Sequence, residues 1–243
     1  QGNTSDLQSR KNVPYPANPN LMLGLVLGEA AKHGKDKLTF IAEGFSSSLV
    51  PWLEQLIAES SGKEGKGILP IENEPILDGQ SYPEYRIFIY LKTDGTKSEL
   101  VEKLKQDGHV VLTIAVPEPY ALAKEFYRWE YATVIACAVL QVNAFDQPNV
   151  QLSKTIAKDV ITSYQKSGKL EDGEPIWEND GAIVFGFRNE EALKETDLKS
   201  LLLAYARGVP QKGYVVLSGF IPRLEENFKF LQALREQILN SVN

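Results

Sequence analysis

Cysteine and histidine are scarce in this sequence. Its 243 residues include one cysteine, Cys137, and two histidines, His33 and His109. One cysteine excludes an internal disulfide and a cysteine-based zinc site, and two histidines exclude a multi-histidine metal centre. We expect structural roles for these three side chains. The sequence therefore favours a metal-free protein in a reducing compartment, the cytoplasm.

Long hydrophobic runs and an excess of positive charge are also missing. The longest uncharged run, 131–145, is shorter than the roughly 20 apolar residues that a membrane-spanning helix needs. Lys and Arg number 26 against 32 Asp and Glu, which gives a net charge of −6 and a pI near 5.2. These features argue against a membrane or a nucleic acid as partner.

Short apolar segments alternate with helical patterns along most of the chain, which predicts an α/β fold with a doubly wound, mostly parallel sheet of the flavodoxin type. We assign this domain to 20–167 and an added α/β unit to 168–243. Residues 1–19, polar and rich in Asn and Pro, are predicted to be a linker or an expression remnant. The predicted strands cover 38–44, 68–71, 85–91, 109–116, 182–187 and 213–220, and the predicted helices cover 20–33, 49–60, 97–108, 120–142 and 148–166, with one more ending near 207 and a last one starting near 225.

The first predicted helix carries a cap and two glycines. Asn20 stands directly before the apolar run of that helix and is predicted to be its N-cap. Gly24 and Gly28 are four residues apart, a spacing that suits close packing against another element.

One candidate for acid–base chemistry ends the second predicted helix. Gln55 and Glu59 are four residues apart and therefore share a helix face. A partly buried carboxylate at a helix C-terminus suits a general base. A solvated glutamate in the last helical turn is the simpler interpretation of the same pattern.

A second candidate lies where a new helix follows a break in a long apolar helix. Gln147 and Lys154 are seven residues apart, so they lie on nearly the same face about two turns distant. They could supply amide hydrogen bonds and a point charge. A capped helix with a surface lysine explains the pattern equally well.

These two segments resemble the second sugar-isomerase (SIS) domain of the phosphoglucose isomerase family. One family motif is Gln, three residues, then Glu-Ser-x-Gly-Lys, and here QLIAESSGK covers 55–63. The other is Phe-Asp/Asn-Gln-x-Gly-Val-Glu-x-x-Lys, and here FDQPNVQLSK covers 145–154, with Asn149 and Gln151 in place of the family Gly and Glu. The sequence around both motifs is most similar to the isomerase part of bifunctional transaldolase/phosphoglucose isomerases.

The resemblance implies a glucose-6-phosphate isomerase that interconverts glucose 6-phosphate and fructose 6-phosphate through a cis-enediol. Glu59 would be the catalytic base, Gln55 and Gln147 would hold sugar hydroxyls, and Lys154 would stand near the ring end of the substrate. The resemblance implies no cofactor and a homo-oligomer in the full-length protein. A non-catalytic module that binds sugar phosphates is the alternative.

The resemblance also implies that parts of the isomerase lie outside this chain. A first SIS domain with a phosphate loop would precede it, and 60–108 lacks the histidine that follows the first motif in many family members. We therefore expect the chain alone not to catalyse. We also expect the four site residues to meet in a cleft at the carboxyl ends of the strands, where ligands bind in open α/β sheets.

Overall fold

The computed structural model describes residues 18–75, 82–170, 173–179, 181–186, 194–222 and 224–242. Two compact units divide between Ser153 and Lys154. This division falls within a helix, Pro148–Ser167, whereas the predicted domain boundary follows that helix. The predicted linker lies outside the described residues except for its last two positions.

The first unit begins with helix α1, Pro19–Lys32, whose N-cap differs from the predicted one. The Asn18 side chain accepts hydrogen bonds from the backbone N–H groups of Asn20 and Leu21, both at 3.1 Å. Asn20 is itself buried inside the helix, so its prediction as the cap is wrong. Because Pro19 lacks an N–H and suits the first helical position, the helix starts before the apolar run does.

A parallel four-stranded sheet forms the centre of the first unit, as predicted. Its elements are β1 (Lys37–Ala42), α2 (Val50–Ser61), β2 (Leu69–Ile71), β3 (Arg86–Lys92), α3 (Ser98–Gln106), β4 (Val110–Ala115) and α4 (Leu122–Leu140). A short 3₁₀ helix, Gly44–Leu49, precedes α2. The strand order is β2-β1-β3-β4, and every neighbouring pair is parallel.

The core divides between the two faces of this sheet because strand side chains alternate in direction. One face carries Phe40 and Ile89, which belong to the buried cluster that also contains residues of α1, α2 and α4. The other face carries Phe88 and Tyr90, which cluster with two residues of α3. Helices on both faces confirm the doubly wound fold.

The two glycines of α1 let this helix approach α4 closely, as predicted. A Cβ at Gly24 would lie 2.5 Å from the Ala132 carbonyl oxygen, and one at Gly28 would lie 2.7 Å from Val139 Cβ. Both distances are far below van der Waals contact, so larger residues would force the helices apart.

The second unit contains two short antiparallel strands and helices. After Pro148–Ser167, which we call α5, follow β5 (Trp177–Asn179), β6 (Ala182–Val184), α6 (Leu198–Arg207) and α7 (Glu225–Val242). The predicted strand at 213–220 is wrong, since this segment is irregular and its apolar side chains are exposed. Its β-branched residues fit a strand, but in the described part of this unit no neighbouring strand pairs with it, and β-propensity depends on such pairing.

Candidate active site

The candidate site lies where α2 and α4 end. In a parallel crossover the helix returns the chain to the edge at which the strands begin. The Ser61 side chain accepts a hydrogen bond at 3.0 Å from the backbone N–H of Ile68, the residue directly before β2. Glu59, in the last turn of α2, therefore lies at the amino ends of the strands. The expectation of a cleft at their carboxyl ends is wrong, because the direction of the helix decides which edge its last turn reaches.

Three of the four predicted site residues converge on one carboxylate. Gln55 lies one helical turn before Glu59, and its Nε2 donates to Glu59 Oε1 at 3.1 Å. Gln147 follows 88 residues later in the chain, and its Nε2 donates to Glu59 Oε2 at 2.9 Å. Each carboxylate oxygen receives one amide N–H, and this pair of contacts orients the group.

Two adjoining depressions, of about 250 Å³ each, border this carboxylate. Glu59 and Gln147 line both of them, and the second extends to the start of α5. The first is lined by Trp52, Gln55, Leu56, Glu59, Ser60 and Gln147. An indole ring beside a carboxylate and two amides gives this depression an apolar wall and a polar one, a combination common in small-molecule sites.

Negative charge is concentrated near the end of α2. Burial, followed by the nearby carboxylates of Glu72 and Glu59, raises the pKa of Glu54 above its ordinary value. The C-terminal end of a helix carries a partial negative charge of its own. A carboxylate at this place therefore needs nearby hydrogen-bond donors, and the two glutamine amides supply them.

Asn149, which departs from the family pattern, links the two motif segments. Its Nδ2 donates to the Gly62 carbonyl oxygen, directly after α2, at 3.2 Å. The glycine of the family motif has no side chain that could make this contact. The departure therefore adds a connection to the site in this chain.

Neither histidine takes part in this convergence, and Lys154 belongs to the second compact unit. Lys154 is exposed on α5 and begins the second compact unit, so its role in the site stays a prediction. His109 packs against Phe88 and Tyr82, with ring centroids 5.4 and 6.1 Å away. His33 is the C-cap residue of α1, where its Nδ1 contacts the Glu29 carbonyl oxygen at 2.8 Å. Neither histidine lines the two depressions.

Lys63 belongs to the first motif but is not among the predicted site residues. Its Nζ forms an ion pair with Asp146 Oδ1 at 3.0 Å and also donates to the Asn143 carbonyl oxygen. The last lysine of the first motif and the Asp of the second therefore meet in space. Their presence in two motifs was the available signal, but nothing in the spacing of either motif pairs them.

The described part of the chain shows neither a metal centre nor a membrane span. Among the residues that the structure describes, no group of three or more His, Cys, Asp and Glu side chains could hold a metal ion. None of the described helices has both the length and the apolar character required to cross a membrane.

Several curated proteins that are similar to this chain carry the same name, glucose-6-phosphate isomerase. No family model matches the chain. It is 30% identical over 185 residues to a glucose-6-phosphate isomerase of Heliobacterium modesticaldum, covering 57% of this chain and 41% of that protein. It is also 30% identical over 186 residues to the enzyme of that name from Clostridium tetani, covering 59% of this chain and 41% of that protein.

A longer match and a solved structure complete the comparison. A glucose-6-phosphate isomerase of Parabacteroides distasonis is 27% identical over 214 residues, covering 68% of this chain and 45% of that protein. A hypothetical protein from Thermus thermophilus has a TM-score of 0.54 at 19% identity, covering 65% of this chain and 48% of that one, which shows similarity of fold alone. The chain spans less than half the length of these curated relatives, and their names support the phosphoglucose isomerase family.

Proposed function

We propose that this chain is part of a glucose-6-phosphate isomerase and contributes the catalytic base, Glu59. The convergence of Gln55, Glu59 and Gln147 on one carboxylate is the observation that carries the proposal. Two motifs separated by more than 80 residues meet there, beside a depression of about 250 Å³. The similarity to curated glucose-6-phosphate isomerases supports the same reaction independently.

The chemistry that follows is a proton transfer between two neighbouring carbons. The Glu59 carboxylate removes the proton from C2 of the open-chain aldose, and the electron pair of that C–H bond forms a C1–C2 double bond. The π pair of the C1 carbonyl moves onto O1, which takes a proton from water and gives the cis-enediol. Glu59 then returns its proton to C1, while the hydroxyl at C2 gives its proton to water and becomes the ketone. A positioned carboxylate of this kind contributes typically about 10²–10⁴-fold in rate.

The two glutamines have a second use in this scheme. A primary amide carries two N–H donors and a carbonyl acceptor, so an amide that gives one N–H to Glu59 keeps further groups for sugar hydroxyls. Gln55 and Gln147 would thereby hold the reacting carbons against the base. Lys154 would stand near the ring end of the substrate and help to open the ring or stabilise developing negative charge.

The test is Glu59→Gln in the natural protein that contains this chain. The substitution keeps the size of the side chain and removes its basicity, so turnover of fructose 6-phosphate should fall by about 10²–10⁴-fold with a much smaller change in KM. Glu64→Gln is the matched control, because Glu64 is exposed in the turn after α2. Activity of Glu59→Gln within about threefold of the parent would refute the role.

A non-catalytic module that binds sugar phosphates is the rival function. In that case Glu59 and Lys154 would only hold the ligand. Glu59→Gln would then weaken binding of glucose 6-phosphate, measured by calorimetry, and the parent protein would have no turnover to lose.

The chain alone is proposed to fold without catalysing. Its relatives are more than twice as long as the region they share with it. Binding energy from the phosphate end of a substrate contributes to the rate at the reacting carbon, so the loss of a phosphate site lowers turnover as well as affinity. A coupled isomerase assay on the purified chain should stay at background.

The proposal extends to the substrate, the location, the oligomeric state and the fusion partner of the full-length protein. The substrate is a phosphorylated hexose, the full-length protein is a cytoplasmic homo-oligomer, and the isomerase part is joined to a transaldolase. The proposal of a transaldolase fusion rests only on the sequence around the two motifs. Transaldolase activity in the natural protein would test it.

A further inference from the structure

A buried lysine lies directly beside the glutamine–carboxylate contact. The Lys63 side chain is only 3% exposed, and its ammonium group has two partners on the segment that leads into Gln147. Burying an ammonium group is costly unless it is paired and hydrogen-bonded. Since both partners lie on this one segment, the lysine connects the end of α2 to it.

The backbone around Lys63 gives this connection a fixed base. The N–H of Lys63 donates to the Ser61 carbonyl oxygen at 2.9 Å and to that of Lys66 at 3.1 Å. The N–H of Lys66 donates in return to the Lys63 carbonyl oxygen at 2.9 Å. The ammonium group therefore extends from a tight turn attached to α2.

In the segment that it holds, Ala144 packs against the core, but the residues beside Gln147 have little apolar anchorage. Phe145 is 81% exposed, and the next four residues are exposed as well. Two polar contacts flank Gln147 instead. Lys63 binds Asp146 on one side, and the Asn149 amide binds the Gly62 carbonyl oxygen on the other.

We propose that Lys63 is a positioning residue, which holds the segment 143–147 against the end of α2 so that Gln147 meets the Glu59 carboxylate. The ammonium group is itself occupied by Asn143 and Asp146, so Lys63 acts through Gln147 and not on the substrate. Its catalytic consequence rests on the proposed isomerase function. Its structural consequence, the place of Gln147, does not.

The structural part can be tested on this chain by NMR. The side-chain amide pair of Gln147 is assigned by its absence in Gln147→Glu. In Lys63→Met, which keeps the length of the side chain and removes the charge, we expect this pair to move to the shifts of a free glutamine amide. Lys66→Met is the matched control, because Lys66 is exposed in the same turn, and it should leave the pair unchanged.

The catalytic part is tested in the natural protein. A displacement of about 1 Å near a reacting centre can lower a rate by about 10²-fold, so Lys63→Met should lower kcat by about 10- to 10²-fold with less change in KM. A lysine that only supported the fold would lower the thermal midpoint and leave the kcat of the folded molecules intact. An unmoved Gln147 amide, or a kcat within about twofold of the parent, would overturn the proposal.

A second variant covers the case in which Lys63→Met does not fold. Asp146 is 55% exposed, so Asp146→Asn removes the ion pair without leaving a buried hole. It should shift the Gln147 amide in the same direction and lower kcat about threefold, and no shift and no loss would count against Lys63. A parent protein without isomerase activity would refute the proposed function, and the amide signal would still decide whether Lys63 holds Gln147.

Discussion

Two carboxylates at opposite edges of the sheet have opposite environments. Glu43 directly follows β1 and is 3% exposed, whereas Glu59 ends α2 at the other edge and is half-buried. In a doubly wound sheet, ligands bind at the carboxyl ends of the strands, where helices leave to opposite faces. Here that place lies between β1 and β3, and the chain fills it with its own carboxylate.

The hydrogen bonds of the two groups explain the difference. Glu43 accepts from three backbone N–H groups at Oε1, and from a fourth N–H and two hydroxyls at Oε2. Its donors are Thr93 N at 2.8 Å, Asp94 N at 3.0 Å, Gly95 N at 2.6 Å, Tyr90 OH at 2.9 Å, Thr96 Oγ1 at 3.0 Å and Lys97 N at 3.0 Å. Glu59 accepts from two side-chain amides. The first carboxylate is saturated and structural, while the second keeps acceptor capacity beside a depression, which is what a base needs.

Replacing each carboxylate by an amide should therefore affect different properties. The substitution at Glu43 should lower stability, and the substitution at Glu59 should lower turnover. In Glu43→Gln the new NH₂ group faces hydrogen-bond donors, and each buried donor left without a partner costs about 1–3 kcal/mol. We expect the free energy of unfolding to fall by about 2–4 kcal/mol in urea titrations, with the turnover of the folded molecules unchanged. Glu59→Gln should change it by less than about 0.5 kcal/mol, because removing a negative charge from a helix C-terminus is mildly favourable.

Glu99→Gln is the control for this pair. Glu99 is exposed in the first turn of α3, so its loss should cost only a few tenths of a kcal/mol. The proposed difference in role between Glu43 and Glu59 fails if Glu43→Gln lowers the turnover of folded protein as much as Glu59→Gln does. It also fails if both substitutions destabilise the chain equally.

The sequence predicted the local part of this architecture and missed the long-range part. The four strands of the sheet and the pairing of Gln55 with Glu59 follow from spacings within one segment. The role of Glu43 does not, because its donors lie about 50 residues further along the chain. The same limit explains the segment 213–220, where strand-forming residues find no partner strand in the described part of their unit.

Acid should reveal how much the buried Glu43 carboxylate contributes to stability. Burial alone would raise the pKa of Glu43, but hydrogen bonds from the N–H groups of Gly95, Lys97 and Thr93 and from the Tyr90 hydroxyl lower it to about 2. A carboxyl with a lowered folded-state pKa adds stability that is fully present above its unfolded-state pKa, near 4.5, and is lost as the pH falls toward 2. The free energy of unfolding should therefore decline between about pH 5 and pH 2. In Glu43→Gln this decline should be shallower, and an unchanged slope would count against the assignment.

Tyr90→Phe should have a smaller effect than Glu43→Gln and tests whether the donors to Glu43 act separately. The Tyr90 hydroxyl donates to Glu43 Oε2 at 2.9 Å, and its removal leaves the carboxylate with the other five contacts. A hydrogen bond to a charged group contributes about 1.5–3 kcal/mol, and the remaining donors around the same oxygen can absorb part of that, so a loss of about 1 kcal/mol is expected. Because this contact lowers the pKa of Glu43, its loss brings that pKa nearer to the unfolded-state value, so the decline in stability with falling pH should be shallower than in the parent. Both changes can be read from urea titrations of the two proteins over about pH 2–7. A loss as large as that of Glu43→Gln would show that the six contacts form one cooperative network, in which a single donor decides whether the charge can stay buried.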